Sequence, residues 1–391
     1  MIRRIRYYIF LKDVLFLTIS SFGGPQAHMA MFLDIMVLRR KYLTEEELIE
    51  LNALCQILPG PTSTQTITAI GFRVGGPGLA YLTLMVWVLP AFIIMTVAAL
   101  LISHFQAKNL AEEYTRFILP IAIGLVAVAA FRISKKIIIS YEGIGLLVIA
   151  ASLSYLIRTP FIYPVLLLGG GFLTAFKFKE HPVKSKEKFR VEWSNFILWA
   201  VVLILAAIAG AITKFMPIRI FENFYRNGSL VFGGGQVLIP LLYTEFVNFK
   251  KQITSEEFLS GFAIVQAIPG PTFSISAYIG ALIMNGKGLG WQMVGAFTAA
   301  AGIFLPGVFL IFFVIKFWEK LKKYRIVRAS LEGIQAASAG MVIAAVFLLM
   351  EPIQLTILNV ILMTGTFILL IYTRVPAPVL ILIGLVLGIV L

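Results

Sequence analysis

The sequence predicts an all-α polytopic membrane protein: two homologous six-helix halves in inverted orientation, joined by an extra transmembrane helix, about 13 helices in all. Three observations predict it. The chain is 59% hydrophobic and only 13% charged, about half the charge of an average soluble domain. Apolar runs of about 20 residues recur along it, each long enough to cross a bilayer as a helix. The chain also resembles itself at a spacing of 210 residues.

The spans are helices because runs such as Val201 to Ile208 and Val308 to Ile315 do not alternate, as strands of a membrane barrel would. A helix also satisfies its own backbone groups in lipid. In order, the first half holds hydrophobic segments near 8–36, 48–71, 77–103, 116–134, 137–157 and 160–177. An unpaired segment follows near 194–214. The second half has six more, near 221–247, 257–282, 288–317, 328–349, 353–372 and 376–391. This divides the chain into a transport repeat at 1–178, a basic linker plus linking helix at 179–217, and a second repeat at 218–391. The start is basic and then apolar, but Lys12 and Asp13 interrupt it and no small-residue cleavage site follows. It reads as a retained first segment.

The repeat is carried by specific residues. Phe22-Gly23-Gly24-Pro25-Gln26 returns as Phe232-Gly233-Gly234-Gly235-Gln236. Thr44 to Glu47 returns as Thr254 to Glu257, and Gln56 to Thr62 as Gln266 to Thr272. Residues 20–62 and 230–272 share 15 identities in 43 ungapped positions, where chance gives about three to five. Further on, Leu89-Pro90 matches Leu305-Pro306 at a spacing of 216.

Six spans return the first half to the cytoplasm where it began, and the linking helix then crosses. The second half therefore starts outside, which is the inverted plan of many secondary transporters. The net charge of +14 fits cytoplasmic loops rich in Lys and Arg, and it also suits an anionic substrate. The basic loops expected inside are Arg3 to Arg6, Arg132 to Lys136, Lys177 to Arg190, Lys250-Lys251, Lys316 to Arg328 and Arg374. The poorer loops expected outside are Ala107 to Glu113, Tyr155 to Thr159, Asn285 to Lys287 and Glu351-Pro352. Arg39-Arg40-Lys41 breaks the pattern by falling outside. Either the segment at 8–36 does not cross simply, or that loop has another role. The N-terminus is expected in the cytoplasm and the C-terminus outside.

The helix breaks carry the chemistry. Pro59 and Pro61 lack backbone N–H groups and clash with the preceding turn, and Pro61 drives Gly60 out of the helical region. A new half-helix is expected to start at Thr62-Ser63-Thr64. Its free N–H groups and positive end, with hydroxyls beside them, suit a dehydrated oxyanion. The second copy offers Thr272 and Ser274 after Pro269-Gly270-Pro271. Gly23-Gly24 opens the backbone, Pro25 favours a helix start, and Gln26 falls in the first turn; Gly235 replaces the proline in the second copy, ahead of Gln236. Gln56 and Gln266 precede each break and carry amide donors. A lone motif of either kind is more often a packing contact or a kink, but both recurring at one spacing favours a site. The candidate substrate-binding residues are therefore Phe22, Gly23, Gly24, Gln26, Gln56, Gly60, Thr62, Ser63 and Arg73 in the first half. In the second they are Phe232, Gly233, Gly234, Gln236, Gln266, Gly270, Thr272 and Ser274. Arg73 brings a full positive charge to the substrate path or, equally, anchors the membrane surface. Asp34, Glu245 and His28 are weaker candidates, for carrying protons, and segment ends in contact with water are their expected places.

These residues give the chain a family likeness. Ser21 to Pro25, Gln56 to Thr62 with Pro-Gly-Pro, and the returns at 232–236 and 266–272 resemble the chromate ion transporter family in its long, two-domain form. The likeness covers nearly the whole chain, with Gly235 in place of a second Pro25 as a departure. The resemblance implies a bacterial or archaeal inner-membrane protein of oppositely oriented halves that exports chromate and confers metal resistance. Chromate and sulfate are tetrahedral dianions of similar size, so helix ends and hydroxyls distinguish them poorly.

The partners expected are a small inorganic oxyanion, chromate or sulfate, and the lipid bilayer; proton coupling and a homodimer stay open. One cysteine, three scattered histidines and no nucleotide or hydrolase motif leave no call for a metal, a cofactor or nucleic acid. The rival readings are an anion channel, a transporter of another anion and, less well supported, an integral-membrane lipid enzyme. An enzyme of that kind expects clustered Asp or His on one face, which the sequence lacks.

Overall fold

The computed structural model describes residues 2–22, 24–106, 116–137, 141–176, 192–232, 235–318, 325–373 and 375–390. The loops expected at 107–113 and 177–190, and Arg374, lie outside these residues, as do Gly23, Gly233, Gly234 and the middle of 316–328. Among the described residues there are sixteen α-helices and no strands. Five are long and apolar enough to cross a membrane, and six more are shorter and apolar.

The chain forms two compact units, each drawing on both sequence copies. One comprises 1–107, 193–229 and 264–315; the other comprises 108–192, 230–263 and 316–391.

In the first unit, α1 (Ile2–Ser20) ends ahead of the non-helical residues 21–22, and α2 (Gly24–Phe32) continues as a π-helix over Leu33–Arg39. This pair turns back on itself. Arg40 bonds Asp13 at 2.7 Å, the Tyr42 hydroxyl donates to Asp13 at 2.8 Å, and Phe10 meets Tyr42 edge-on at 5.1 Å. Burial first, and the bond to Asp13 second, push the Tyr42 phenol up, so it stays a donor. The segment at 8–36 is therefore not one straight span: Arg39-Arg40-Lys41 returns to the level of residues 10–13.

Next comes α3 (Glu45–Ile57), opened by a capping box in which Thr44 and Glu47 satisfy each other's backbone N–H. It ends at the Pro-Gly-Pro break. α4 (Thr62–Gln106) then starts, and it is itself bent at Gly76 (φ 77°, ψ −169°) before Pro77. The part at 62–75 folds back along the part after Pro77, since Gly71 packs on Ala80 and Thr83. The Tyr7 hydroxyl reaches the Gly75 carbonyl at 3.2 Å. Residues 62–75 are thus a half-helix of about 20 Å, and 77–106 a full one of about 45 Å.

α8 (Ser194–Thr213) and α9 (Met216–Leu230) precede the second copy of this arrangement. α8 is apolar on nearly every side and leaves Ile197, Val201, Ile204, Leu205, Ile208 and Ile212 exposed. A helix apolar all round and yet uncovered by protein belongs in lipid. A short 3-10 turn, Thr272–Ser274, starts α12 (Ile275–Ile283), which folds back on α13 (Leu289–Val314) where Gly280 and Gly295 touch backbone to backbone. α4 and α13 run antiparallel: Phe312 stacks on Phe72 and Tyr81 at one end, and Gln292 bonds Ser103 at 3.2 Å at the other. Residues 62–75 and α12 therefore run in opposite senses.

In the second unit, α5 (Ile118–Ile137), α6 (Tyr141–Leu156) and α7 (Ile162–Ala175) pack around α14 (Arg325–Met350). Small residues permit this. Gly333 meets the Gly170 backbone, and Gly340 meets the Leu147 carbonyl and Ala150, the close approach by which membrane helices associate. α15 (Ile357–Tyr372) and α16 (Ala377–Val390) pack on α5. This unit also holds α10 (Gly235–Tyr243), its π-helical extension Thr244–Phe249, and most of α11 (Ser255–Ala267).

The backbone repeats with the sequence. Lys41 and Lys251 both take left-handed conformations, φ 52° and 50°, after π-helical segments. Arg40 N–H to Ile35 O (3.0 Å) returns as Lys250 N–H to Glu245 O (2.9 Å). The Thr44–Glu47 capping bonds return between Thr254 and Glu257. Gly60 and Gly270 both have positive φ, 122° and 111°.

Candidate functional site

Both Pro-Gly-Pro breaks lie in the first unit, and each sits beside the proline of the other copy's long helix. Gly60 faces Gly307, next to Pro306 in α13; a Cβ there would stand 3.2 Å from the Gly307 Cα. Gly270 faces Ala91, next to Pro90 in α4, where a Cβ would stand 2.9 Å from that of Ala91. The Leu-Pro pair that extends the repeat is thus the partner of the break, exchanged between copies. Gly270 N–H also donates to the Ser21 carbonyl at 3.1 Å, which brings the second break beside the end of α1.

The first break delivers what its prolines dictate. Leu58 is extended (φ −83°, ψ 148°), and the first helical bond after the break is Gln65 N–H to Pro61 O at 2.8 Å. The N–H groups of Thr62, Ser63 and Thr64 therefore precede the hydrogen-bonded ladder. The side chains of Thr62, Ser63, Thr64, Gln65, Thr66 and Thr68 are all buried, a dense polar run for so apolar a chain. Thr66 donates back to the Thr62 carbonyl at 2.9 Å, and the Trp87 indole donates to the Thr64 hydroxyl at 3.2 Å. Among the described residues the Thr68 hydroxyl has no partner. In the second copy, Thr272 is half-buried, and Ser274 and Ser276 are fully buried with hydroxyls that have no partner among the described residues. Buried donors without partners are rare and costly.

The remaining candidates are scattered more widely. Gln56 is exposed and Gln266 half-buried, each one turn before its break. Gly24 starts α2 with φ 76°, and Pro25 and Gln26 follow in its first turn; Gly235 and Gln236 occupy the same places in α10. Phe22 is exposed, and the Phe232 carbonyl accepts from Ser338 at 3.4 Å. Arg73 is not brought to the break. It lies at the far end of the half-helix, about 16 Å along its axis, half-exposed and paired with Glu47. Asp34 is half-exposed and pairs with Arg39 at 2.8 Å. His28 and Glu245 are not at water-contacting ends as expected: His28 is buried edge-on against Trp87 at 5.2 Å, and Glu245 is buried with Lys250 at 2.5 Å.

Gln65, Thr66, Thr68 and Ser276 are buried polar groups that sequence reasoning passed over. The polar run Thr62-Ser63-Thr64-Gln65-Thr66-Ile67-Thr68 was the available signal, since Thr62 and Thr66, and Thr64 and Thr68, stand one helical turn apart.

The chain is similar in sequence to known proteins. A family model described as chromate transporter matches residues 10–175 and 218–389. An uncharacterized transporter of Methanocaldococcus jannaschii is 26% identical over 383 residues, covering 94% of this chain and 90% of that protein. A probable chromate transport protein of Synechococcus elongatus is 24% identical, covering 84% and 81%. A chromate transport protein of Cupriavidus metallidurans is 24% identical, covering 84% and 79%. No solved structure matches the chain.

Proposed function

The chain belongs to the chromate transporter family, and from that premise we propose that it carries chromate or a similar tetrahedral oxyanion across the cytoplasmic membrane at the two Pro-Gly-Pro breaks. Members of this family are transporters and not enzymes, which removes the lipid-enzyme reading. The observation that carries the proposal is the buried hydroxyl-rich start of each half-helix, Thr62 to Thr64 in one and Ser274 to Ser276 in the other, the two helices running in opposite senses.

A helix N-terminus offers about half a positive charge and several N–H donors. Two of them from opposite directions, with Thr62, Ser63, Thr272 and Ser274 beside them, supply donors to the oxygens of a dianion without a fixed cation. The reversal of sense between the copies, 1–178 and 218–391, supports an inverted repeat in which each copy dips two half-helices from its own side of the membrane. Alternating access then follows when each break moves against the long helix it touches. Outward movement of a dianion gains roughly 4.6 kcal/mol per 100 mV of inside-negative potential, so export needs no coupled ion.

The test is flux of chromate into or out of liposomes holding the purified protein, with sulfate as competitor and T62V/T272V as the variant. The expected result is saturable flux that sulfate inhibits and that the double variant reduces about a hundredfold, two charge-assisted donors being lost. Flux retained in the variant moves the site away from the breaks. No flux of either anion in folded protein overturns the oxyanion reading, and flux that never saturates points to a channel.

A further inference from the structure

The Gln65 side chain ties the first break to the other copy. Its Nε2 donates to the Pro59 carbonyl at 2.8 Å and to the Gly307 carbonyl at 3.1 Å. Both partners are carbonyl oxygens, which only accept, so the bonding atom must be the amide nitrogen and the orientation of the amide is fixed. One carbonyl belongs to the break itself and the other to the long helix against which Gly60 packs. Pro59 and Pro61 prevent the break from holding itself by helical bonds, so this amide replaces them. The equivalent position in the second copy is Ile275, which has no polar group and cannot make the tie.

We propose that Gln65 is a positioning residue for the transported oxyanion: it clamps the first break against Gly307 so that the donors at Thr62 and Ser63 are preformed, while the second break, held by the Gly270 N–H bond to Ser21 but by no such side chain, is the one that adjusts around the ligand. This rests on the reading of the breaks as the oxyanion site. Gln65 does not touch the anion in this account. Its effect passes through the backbone of residues 59–62.

The test compares Gln65→Met, which keeps the volume and removes the donor, with Gln65→His, which keeps one N–H. Thr83→Val is the structural control, since it removes a buried hydroxyl bonded only to Leu79 O lower on the same helix. Saturable sulfate-inhibited chromate flux gives KM and maximal rate, and a thermal melt with and without sulfate reports folding and binding. The expected result is a KM raised about tenfold in Q65M, as for the net loss of one to two hydrogen bonds, and raised less in Q65H. The maximal rate should change little, and the stabilisation by sulfate should be weakened. T83V should melt earlier with KM unchanged. If wild-type protein transports and folded Q65M or Q65H keeps the wild-type KM, the inference fails and the oxyanion reading stands. If wild type carries neither anion, both fail together. If both Gln65 variants cannot fold while T83V folds, Gln65 is a residue of the fold alone and the proposal is overturned.

Discussion

At the scale of single residues, the breaks depend on glycines that have no substitute. Gly60, at φ 122°, sits where L side chains rarely go, and an added Cβ would also meet the Gln65 amide at 3.0 Å and the Gly307 backbone at 3.2 Å. Gly24, at φ 76°, has the backbone conformation without the crowding, since nothing stands within 4 Å of a Cβ there. The two positions separate strain from collision. Gly24→Ala should cost about 1 kcal/mol of stability, from backbone strain alone. Gly60→Ala should cost about 2–4 kcal/mol, because a backbone atom must move as well. Thermal melts of the two variants in detergent check this, and equal losses would mean that Gly60 is not in contact with α13. Gly60→Ala should also lower transport further than its melting temperature accounts for, because the displaced neighbour is the Gln65 clamp.

Among the elements, the paired half-helices are the main departure from what hydrophobicity foretells. The apolar segments were legible at nearly their full extent, and so were the breaks at Gly60 and Gly270, because proline and glycine act locally. The direction the chain takes after a break was not legible, because it depends on contacts far away in sequence. Nothing local indicates that Tyr42 returns to Asp13 or that Gly75 returns to Tyr7. The basic loop Arg39-Arg40-Lys41 was the one clue, as the exception to the charge rule, and the Asp13 contact fits it, since the loop folds back onto α1. The candidate site was legible to the same degree. Thr62, Ser63, Thr272 and Ser274 follow from the break, whereas Gln65 is recognised only through Gly307, 242 residues away. The hairpin makes a direct prediction. Cys55 is the sole cysteine and is buried, so Cys55→Ala gives a cysteine-free background. Glu46, exposed in the first turn of α3, changed to Cys should react with an impermeant maleimide from the side that holds the N-terminus. A straight first span would put it on the opposite side.

For the whole molecule, the same labelling decides whether the copies are inverted. Glu256 is equivalent to Glu46 by the spacing of 210, and it too is exposed in the first turn of a capped half-length helix. If the two copies dip from opposite faces, Glu256→Cys must react from the face that Glu46→Cys does not. Copies in parallel orientation would label from one face. The outcome bears on mechanism as well as on topology. Exchanged packing, Gly60 on Gly307 and Gly270 on Ala91, makes each break rest on the long helix of the other copy, so a shift of one long helix must disturb the opposite break. In an inverted pair, loosening one break opens the site toward one face and loosening the other opens it toward the second face, which is the symmetry alternating access requires. The expected result is therefore opposite-face labelling of Glu46→Cys and Glu256→Cys, with the protection of each changed in opposite directions when sulfate is present on one side only. Same-face labelling would leave the hydroxyl-lined breaks in place and remove the two-sided carrier built from them.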